Sequence, residues 1–382
     1  MRRTPCQGVF LLILLSVSFL AFEIPEGHTQ DCIDLMGLKW SKSHVGVYIA
    51  SGAHDVQRKQ VLFALQVWLA AQQWFIDSYM GGNGIPWLLY LTDRPDDGPV
   101  RVSFFIGQGV SFGGRAIVEG ANGMFTRAQV QINLPPDRAG NPDDLYVESV
   151  ILHELGHALG LGHSQREQDA MNGAVDTSPY NYGLPSTLDL YALYAISQSG
   201  QAGDLGEAVC LPSDVGYGIP PWVEEKPDGT VVLKIPVGRF EAAPEISTEY
   251  PNSVQRGESV TFATTVRNKG RYPFEIVSAT ANSDFMRYFQ PREQLPLVVE
   301  PGSERILTHV VTIPKDISAG THSITIGIRI GVLTPEGWSS PLDAGEGTMS
   351  FEVREPQPTF VLTASTVNMG TETVHVPSSY NE

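Results

Sequence analysis

The segment His153-Glu154-Leu155-Gly156-His157-Ala158-Leu159-Gly160-Leu161-Gly162-His163 places three histidines and one carboxylate at a spacing that suits a metal ion. His153 and His157 are four residues apart, and a helix turns once in about 3.6 residues, so both imidazoles leave one helix face a turn apart. Two nitrogens so placed can share one zinc at about 2.0–2.1 Å. Glu154 stands beside them, within reach of a water on the metal and not required as a ligand. The third imidazole cannot come from the same straight helix, and Gly160 and Gly162 supply the backbone freedom that turns the chain back toward the metal. Three neutral nitrogens leave a fourth position open, which distinguishes a catalytic zinc from a structural one.

The expected chemistry follows from charge. Zinc lowers the pKa of its bound water toward neutrality and polarises a scissile carbonyl. Glu154 is then the general base, taking the proton from that water and delivering it to the departing amine. The predicted activity is hydrolysis of peptide bonds in protein or peptide substrates, with no covalent intermediate. The bland reading is a pair of packed or exposed histidines one helical turn apart. It is weakened by the adjacent Glu, the third His and the glycines between them.

This segment resembles the metzincin zinc metallopeptidases, and more narrowly the matrixin, or matrix-metalloproteinase-like, family. Ser164 follows the third histidine, and Met171 stands eight residues after His163, as in matrixins. The resemblance covers about Leu38 to Ile196. It implies a Met-turn in which Met171 sits beneath the zinc and packs under the ligand histidines. The family turn usually continues Met-Tyr-Pro, whereas here it reads Met171-Asn172-Gly173, so the wall of the pocket after the scissile bond is built differently. Pro179, Tyr180 and Tyr182 are the candidates for that wall. Family members often hold a second, structural zinc through histidines. Besides the motif, this domain offers only His44 and His54, so no second zinc of that type is expected. A calcium ion held by Asp and backbone carbonyls stays open, with no ligands identified.

Three cysteines are present, and Cys6 lies in an apolar leader. The remaining pair, Cys32 and Cys210, brackets the first domain, and in an exported chain such a pair suggests a disulfide. A switch in which the Cys32 thiolate fills the open zinc position is the alternative, with two free thiols as a third reading. The short stretch between leader and Cys32 is too brief for a folded prodomain, and the family's usual prodomain cysteine motif is not found around Asp31-Cys32-Ile33-Asp34.

The elements that must carry these residues are legible in the pattern. Asp55 to Tyr79 repeats apolar residues at helical spacing and stops at Gly81-Gly82. Leu38 to Ile49 suggests an opening strand, and Val100–Ile106, Arg115–Val118 and Ala128–Asn133 read as further strands. The metal helix is expected over Leu145 to Leu159, with Asn141 as cap, Pro142 at the first helical position, and Asp143 and Asp144 complementing the positive end. A third helix is expected over Ser186 to Ser197, capped by Ser186 or Thr187. The fold class is an α+β zincin-type metallopeptidase domain over 31–212, followed by a second domain.

Pro and Gly are dense over 213–242, which reads as a linker with one hairpin at Asp228-Gly229. Six strand-like runs between Val260 and Val353 then suggest an all-β, immunoglobulin-like sandwich over 243–355, with a polar tail over 356–382. Val254…Gly257-Glu258-Ser259-Val260 and Val266-Arg267-Asn268-Lys269-Gly270 resemble the adhesion-type sandwiches that accompany extracellular enzymes. That domain is expected to bind substrate or cell surface, or to act as a spacer, and His309 and His322 in it read as ordinary strand residues. The second class of function is therefore a surface adhesion or binding protein that uses the zincin domain as a platform. Glu154 argues against it, because a scaffold needs no general base.

The 382-residue chain has a formal net charge of −17. Such a surface repels phosphate backbones, so nucleic acid is an unexpected partner. Residues 1–30 carry Arg2, Arg3 and the apolar run Val9 to Phe22, the pattern of a secretory signal peptide. No clean small-x-small pair precedes Glu23. The expected location is therefore secreted or extracellular, with membrane contact only through an uncleaved N-terminal anchor.

Overall fold

The computed structural model describes residues 32–50, 52–107, 113–141, 144–173, 183–200, 206–225, 231–236, 242–285 and 290–355. Strand β1 (Cys32–Leu35) and β2 (His44–Ile49) lead into helix α1 (Asp55–Tyr79). Strands β3 (Leu88–Thr92), β4 (Val100–Ile106), β5 (Gly113–Ala121) and β6 (Met124–Leu134) follow, then a single helical turn α2 (Pro136–Ala139). The metal helix is α3 (Leu145–Ala158), continued by β7 (Leu161–Ser164). Helix α4 (Thr187–Gln198) and β8 (Ala208–Cys210) complete the first unit.

Its main sheet has the order β3-β2-β4-β6-β5. The first four of these strands run parallel, and β5 is the antiparallel edge strand. Helix α1 packs against α3 and β3, while α3 lies on β5 and β6. Trp68, Phe75, Leu65, Ile132, Ile151 and Leu155 fill the core between them with almost no exposure. Three buried glutamines of α1 bond to backbone that a helix alone would leave adrift. Gln57 Nε2 donates to the Ala139 carbonyl at 2.7 Å, Gln60 Nε2 to that of Asn141 at 2.8 Å, and Gln72 Nε2 to that of Trp87 at 3.0 Å.

Helix α3 is capped by Asp144, not by Asn141. The Asp144 carboxylate accepts from Tyr146 N at 3.2 Å and Val147 N at 3.3 Å. Asn141 is three residues too early to reach those amides and instead offers its carbonyl to Gln60. Pro142 and Asp143 lie outside the described residues. Ser186 caps α4, accepting from Leu188 N and Asp189 N, while Asp189 reaches back to the Ser186 amide at 2.9 Å. The opening strand begins at His44, so Leu38 and Trp40 precede it, and the Trp40 ring stacks on Phe125 with centroids 4.8 Å apart.

A second, three-stranded sheet has the order β7-β1-β8. Cys32 and Cys210 face each other across β1 and β8 and are joined by a disulfide. The Pro/Gly-rich stretch contains the antiparallel pair β9 (Val223–Glu225) and β10 (Val231–Leu233), and residues 226–230, where the hairpin at Asp228-Gly229 is expected, lie outside the described residues. This stretch is not a bare tether, since Val215 and Trp222 enter the core of the first unit.

Beyond it come β11 (Pro244–Glu249), β12 (Ser253–Gln255), β13 (Ser259–Asn268), β14 (Phe274–Ser283), β15 (Leu297–Val299), β16 (Glu304–Thr312), β17 (Gly320–Thr334), β18 (Gly337–Trp338) and β19 (Leu342–Arg354). They form two sheets, β11-β13-β16 and β12-β19-β17-β14-β15, with β18 paired to β17. Phe262, Val266 and Leu307 of the first sheet share one core with Ile276, Ile324 and Phe351 of the second. The two units meet through a small apolar cluster of Leu69, Leu88, Tyr272 and Leu333. The turn between β17 and β18 caps the outer edge of β3, with Leu91 N donating to the Pro335 carbonyl at 2.8 Å.

Candidate metal centre

His153 and His157 project from the last turns of α3, and Gly160 reverses the chain so that β7 can present His163 to them. Gly160 has φ +108°, and a Cβ there would stand 2.8 Å from the Leu38 carbonyl oxygen, so position and space both demand glycine. Pairing of β7 with β1 then holds the third histidine, which would otherwise sit on an irregular loop. Ring centroids of the three imidazoles are 4.7, 4.8 and 5.3 Å apart, and one nitrogen from each lies within 4.8 Å of the other two.

Hydrogen bonds settle two tautomers. His153 Nδ1 lies 2.7 Å from the Ala170 carbonyl and His157 Nδ1 2.8 Å from that of Leu161. A carbonyl only accepts, so both Nδ1 atoms carry the proton and both Nε2 lone pairs are left for a metal. Burial keeps the rings neutral, pushing His153 down to about 4 and His157 to about 3. His163 is also lowered by burial, against the pull of the nearby Asp34 carboxylate. Three neutral, convergent imidazole nitrogens fit zinc and suit neither calcium nor magnesium, which take oxygen ligands.

Glu154 is 5% exposed, and burial pushes its carboxyl up to about 8 against the Ala116 backbone amide, which favours the charged form. Its Oε2 has no hydrogen-bond partner among the described residues. The side chain lies against β5, where a Cβ on Gly114 would come within 2.5 Å of Glu154 Cγ and Oε1. The general-base candidate therefore sits where α3 meets β5, the end strand of the main sheet.

Met171 is fully buried, and its carbonyl accepts from Ser164 N at 2.8 Å. Its sulfur packs against Gly156 of α3, where a Cβ would stand 2.2 Å from it. Pro179, Tyr180 and Tyr182, the candidates for the pocket wall, fall outside the described residues. His44 and His54 lie away from the centre: His44 faces Glu300 of the second unit at 3.2 Å, and His54 caps α1. Sequence reasoning passed over Asp34, Asp169, Asp189 and Tyr217. Asp169, in the turn that carries Met171, and Asp189, at the start of α4, are buried, and burial raises both carboxyl groups, that of Asp189 further because Asp169 is near.

Residues 70–193 match the Matrixin family, peptidase M10. No curated protein matches the chain in sequence. Among solved structures, native alpha-2-macroglobulin from Escherichia coli, spanning domain MG7 to the C-terminus, is 17% identical with a TM-score of 0.23 over 31% of this chain and 17% of that one. A CARDB domain from Pyrococcus furiosus is 15% identical with a TM-score of 0.21 over 33% of this chain and 100% of that one. A cohesin module from Clostridium perfringens is 18% identical with a TM-score of 0.19, covering 30% and 100%. The family match and the histidine triad together define a matrixin-like, zinc metallopeptidase type of domain. The matched stretch ends before β8 and the second unit, so it speaks for part of the first unit alone.

Proposed function

We propose that the protein is a secreted zinc endopeptidase acting on protein or peptide substrates, with His153, His157 and His163 as zinc ligands and Glu154 as general base. The observation that carries this reading is the convergence of three neutral imidazole nitrogens beside a buried carboxylate oxygen that has no partner among the described residues. Zinc held there supplies Lewis-acid activation of both the attacking water and the scissile carbonyl. Glu154 takes the proton from that water and passes it to the departing amine. The outer edge of β5, which pairs with no strand among the described residues, gives an extended substrate a backbone to pair with, which sets the scissile bond across Glu154. The Ala170 and Leu161 carbonyls hold two ligand rings in their metal-binding tautomer.

The Cys32–Cys210 bridge supports an oxidising compartment. The second unit, with its two sheets on one core, fits an immunoglobulin-like sandwich. The test is proteolysis of unfolded casein by wild-type and Glu154→Ala protein carrying equal zinc. Loss of activity by several orders of magnitude in the variant is expected. Retained activity overturns the mechanism.

A further inference from the structure

Tyr217 lies outside the family-matched stretch, in the Pro/Gly-rich segment, yet it bonds to the turn that carries Met171. Its hydroxyl donates to Asp169 Oδ1 at 2.6 Å. The next residue, Ala170, supplies the carbonyl that accepts from His153 Nδ1 at 2.7 Å. Asp169 is 2% exposed, so its carboxylate cannot exchange this donor for bulk water. The turn it belongs to is short and tied, with Asn172 N donating to the Asp169 carbonyl at 3.1 Å and Ala170 N to that of Leu184 at 3.2 Å. A shift of the Asp169 side chain is therefore passed directly to the Ala170 carbonyl.

The segment that delivers Tyr217 is anchored on three sides. Thr187, at the start of α4, donates from its amide to the Gly218 carbonyl at 2.8 Å. Its hydroxyl donates to the Gly216 carbonyl at 2.9 Å and accepts from Gly218 N at 3.0 Å. Val215 and Trp222 are buried in the core on either side. The Arg166 guanidinium lies 4.6 Å from the Tyr217 ring, closing the third side from the same turn that holds Asp169. Burial and the Asp169 charge raise the Tyr217 hydroxyl, which keeps it a donor.

We propose that Tyr217 is a positioning residue for the metal centre, acting through Asp169 and the Ala170 carbonyl on the orientation of His153. The segment around it is a strap that locks the floor of the site from outside the matrixin-like stretch. The proposal rests on the reading of the triad as a zinc site. Groups at this remove from a metal set ligand orientation, and their loss typically costs about 10–100-fold in affinity.

Zinc affinity of the full chain, measured by competition with a chromogenic chelator, tests it. Tyr217→Phe keeps the ring beside Arg166 and removes only the hydroxyl. It is expected to weaken zinc binding about tenfold or more while still taking one zinc at saturation. A merely structural Tyr217 would lower the melting temperature of the metal-free protein and leave affinity unchanged, and that result overturns the proposal. Thr187→Val loosens the strap from its far end without touching Asp169 and is expected to weaken zinc in the same direction. Should Tyr217→Phe fail to fold, unchanged affinity in Thr187→Val overturns the proposal by itself. A wild-type chain that takes up no zinc removes the metal reading, and the proposal falls with it, a result distinct from a wild type that binds and a variant that binds equally.

Discussion

The sulfur of Met171 lies so close beneath Gly156 that a methyl group on that glycine would stand 2.2 Å from it. The same methyl would be 2.9 Å from Cζ2 of Trp68, whose indole N–H is held by the Leu152 carbonyl at 2.9 Å. Alanine would improve helix propensity by about 1 kcal/mol. Overpacking at a buried contact costs about 1–3 kcal/mol and wins. Gly156→Ala is expected to lower stability by denaturant titration and to displace Met171. Adding Met171→Ala should restore part of the loss, because the two side chains compete for one space, so the two costs are not additive.

Replacing a ligand removes the metal rather than the chemistry alone. His157→Ala is expected to abolish tight zinc, whereas Glu154→Ala keeps it. Elemental analysis of both purified proteins checks this, and one tightly bound zinc per chain in His157→Ala would refute the ligand assignment.

The depressed histidines set a pH dependence with a definite sign. In the unfolded chain His153 and His157 titrate near 6.5, and in the metal-free fold near 4 and 3. Between those limits the unfolded chain takes up protons that the fold refuses, so their contribution to stability falls as pH drops below about 6.5. Glu154 acts in the opposite sense, holding its proton in the fold up to about 8 and weakening the fold as pH rises from 4.5. The measurement is the melting temperature of metal-free protein at pH 7 and pH 5. A His153→Leu/His157→Leu variant lacks these two groups and should lose less on acidification than wild type does.

The contact between the two units is apolar where it matters. Leu333 is fully buried at that contact, and Leu333→Ala is expected to cost about 2–5 kcal/mol. Arg271 and Asp77 pair at 2.9 Å across the same boundary but are exposed, so Arg271→Ala should change stability by about 0–1 kcal/mol. Calorimetry of the two variants separates the effects.

The metal motif was legible because its parts are local: one helical turn, one glycine reversal and one histidine beyond it. Helix α1 coincided with its apolar repeat from Asp55 to Tyr79 for the same reason. Strand β3 was not anticipated, since Leu88–Thr92 is a short apolar run without alternation, which periodicity cannot separate from loop or helix. Strand β1 is four residues long and exists because β7 and β8 flank it. The cap of α3 was misplaced onto Asn141 because several capping residues stand in a row there and only geometry chooses among them. The strap around Tyr217 looked like linker because its order comes from Thr187 and Asp169, residues distant in the chain.

The main sheet has two edges with different fates. The β3 edge is covered at Leu91 by the turn at Pro335, while among the described residues no strand pairs with the outer edge of β5. A sheet bare on both sides can accept strands at each end and so grow without limit, copy upon copy. One that is bare on a single side is a chain terminator: a strand laid on β5 leaves no second end of the sheet from which a stack could continue.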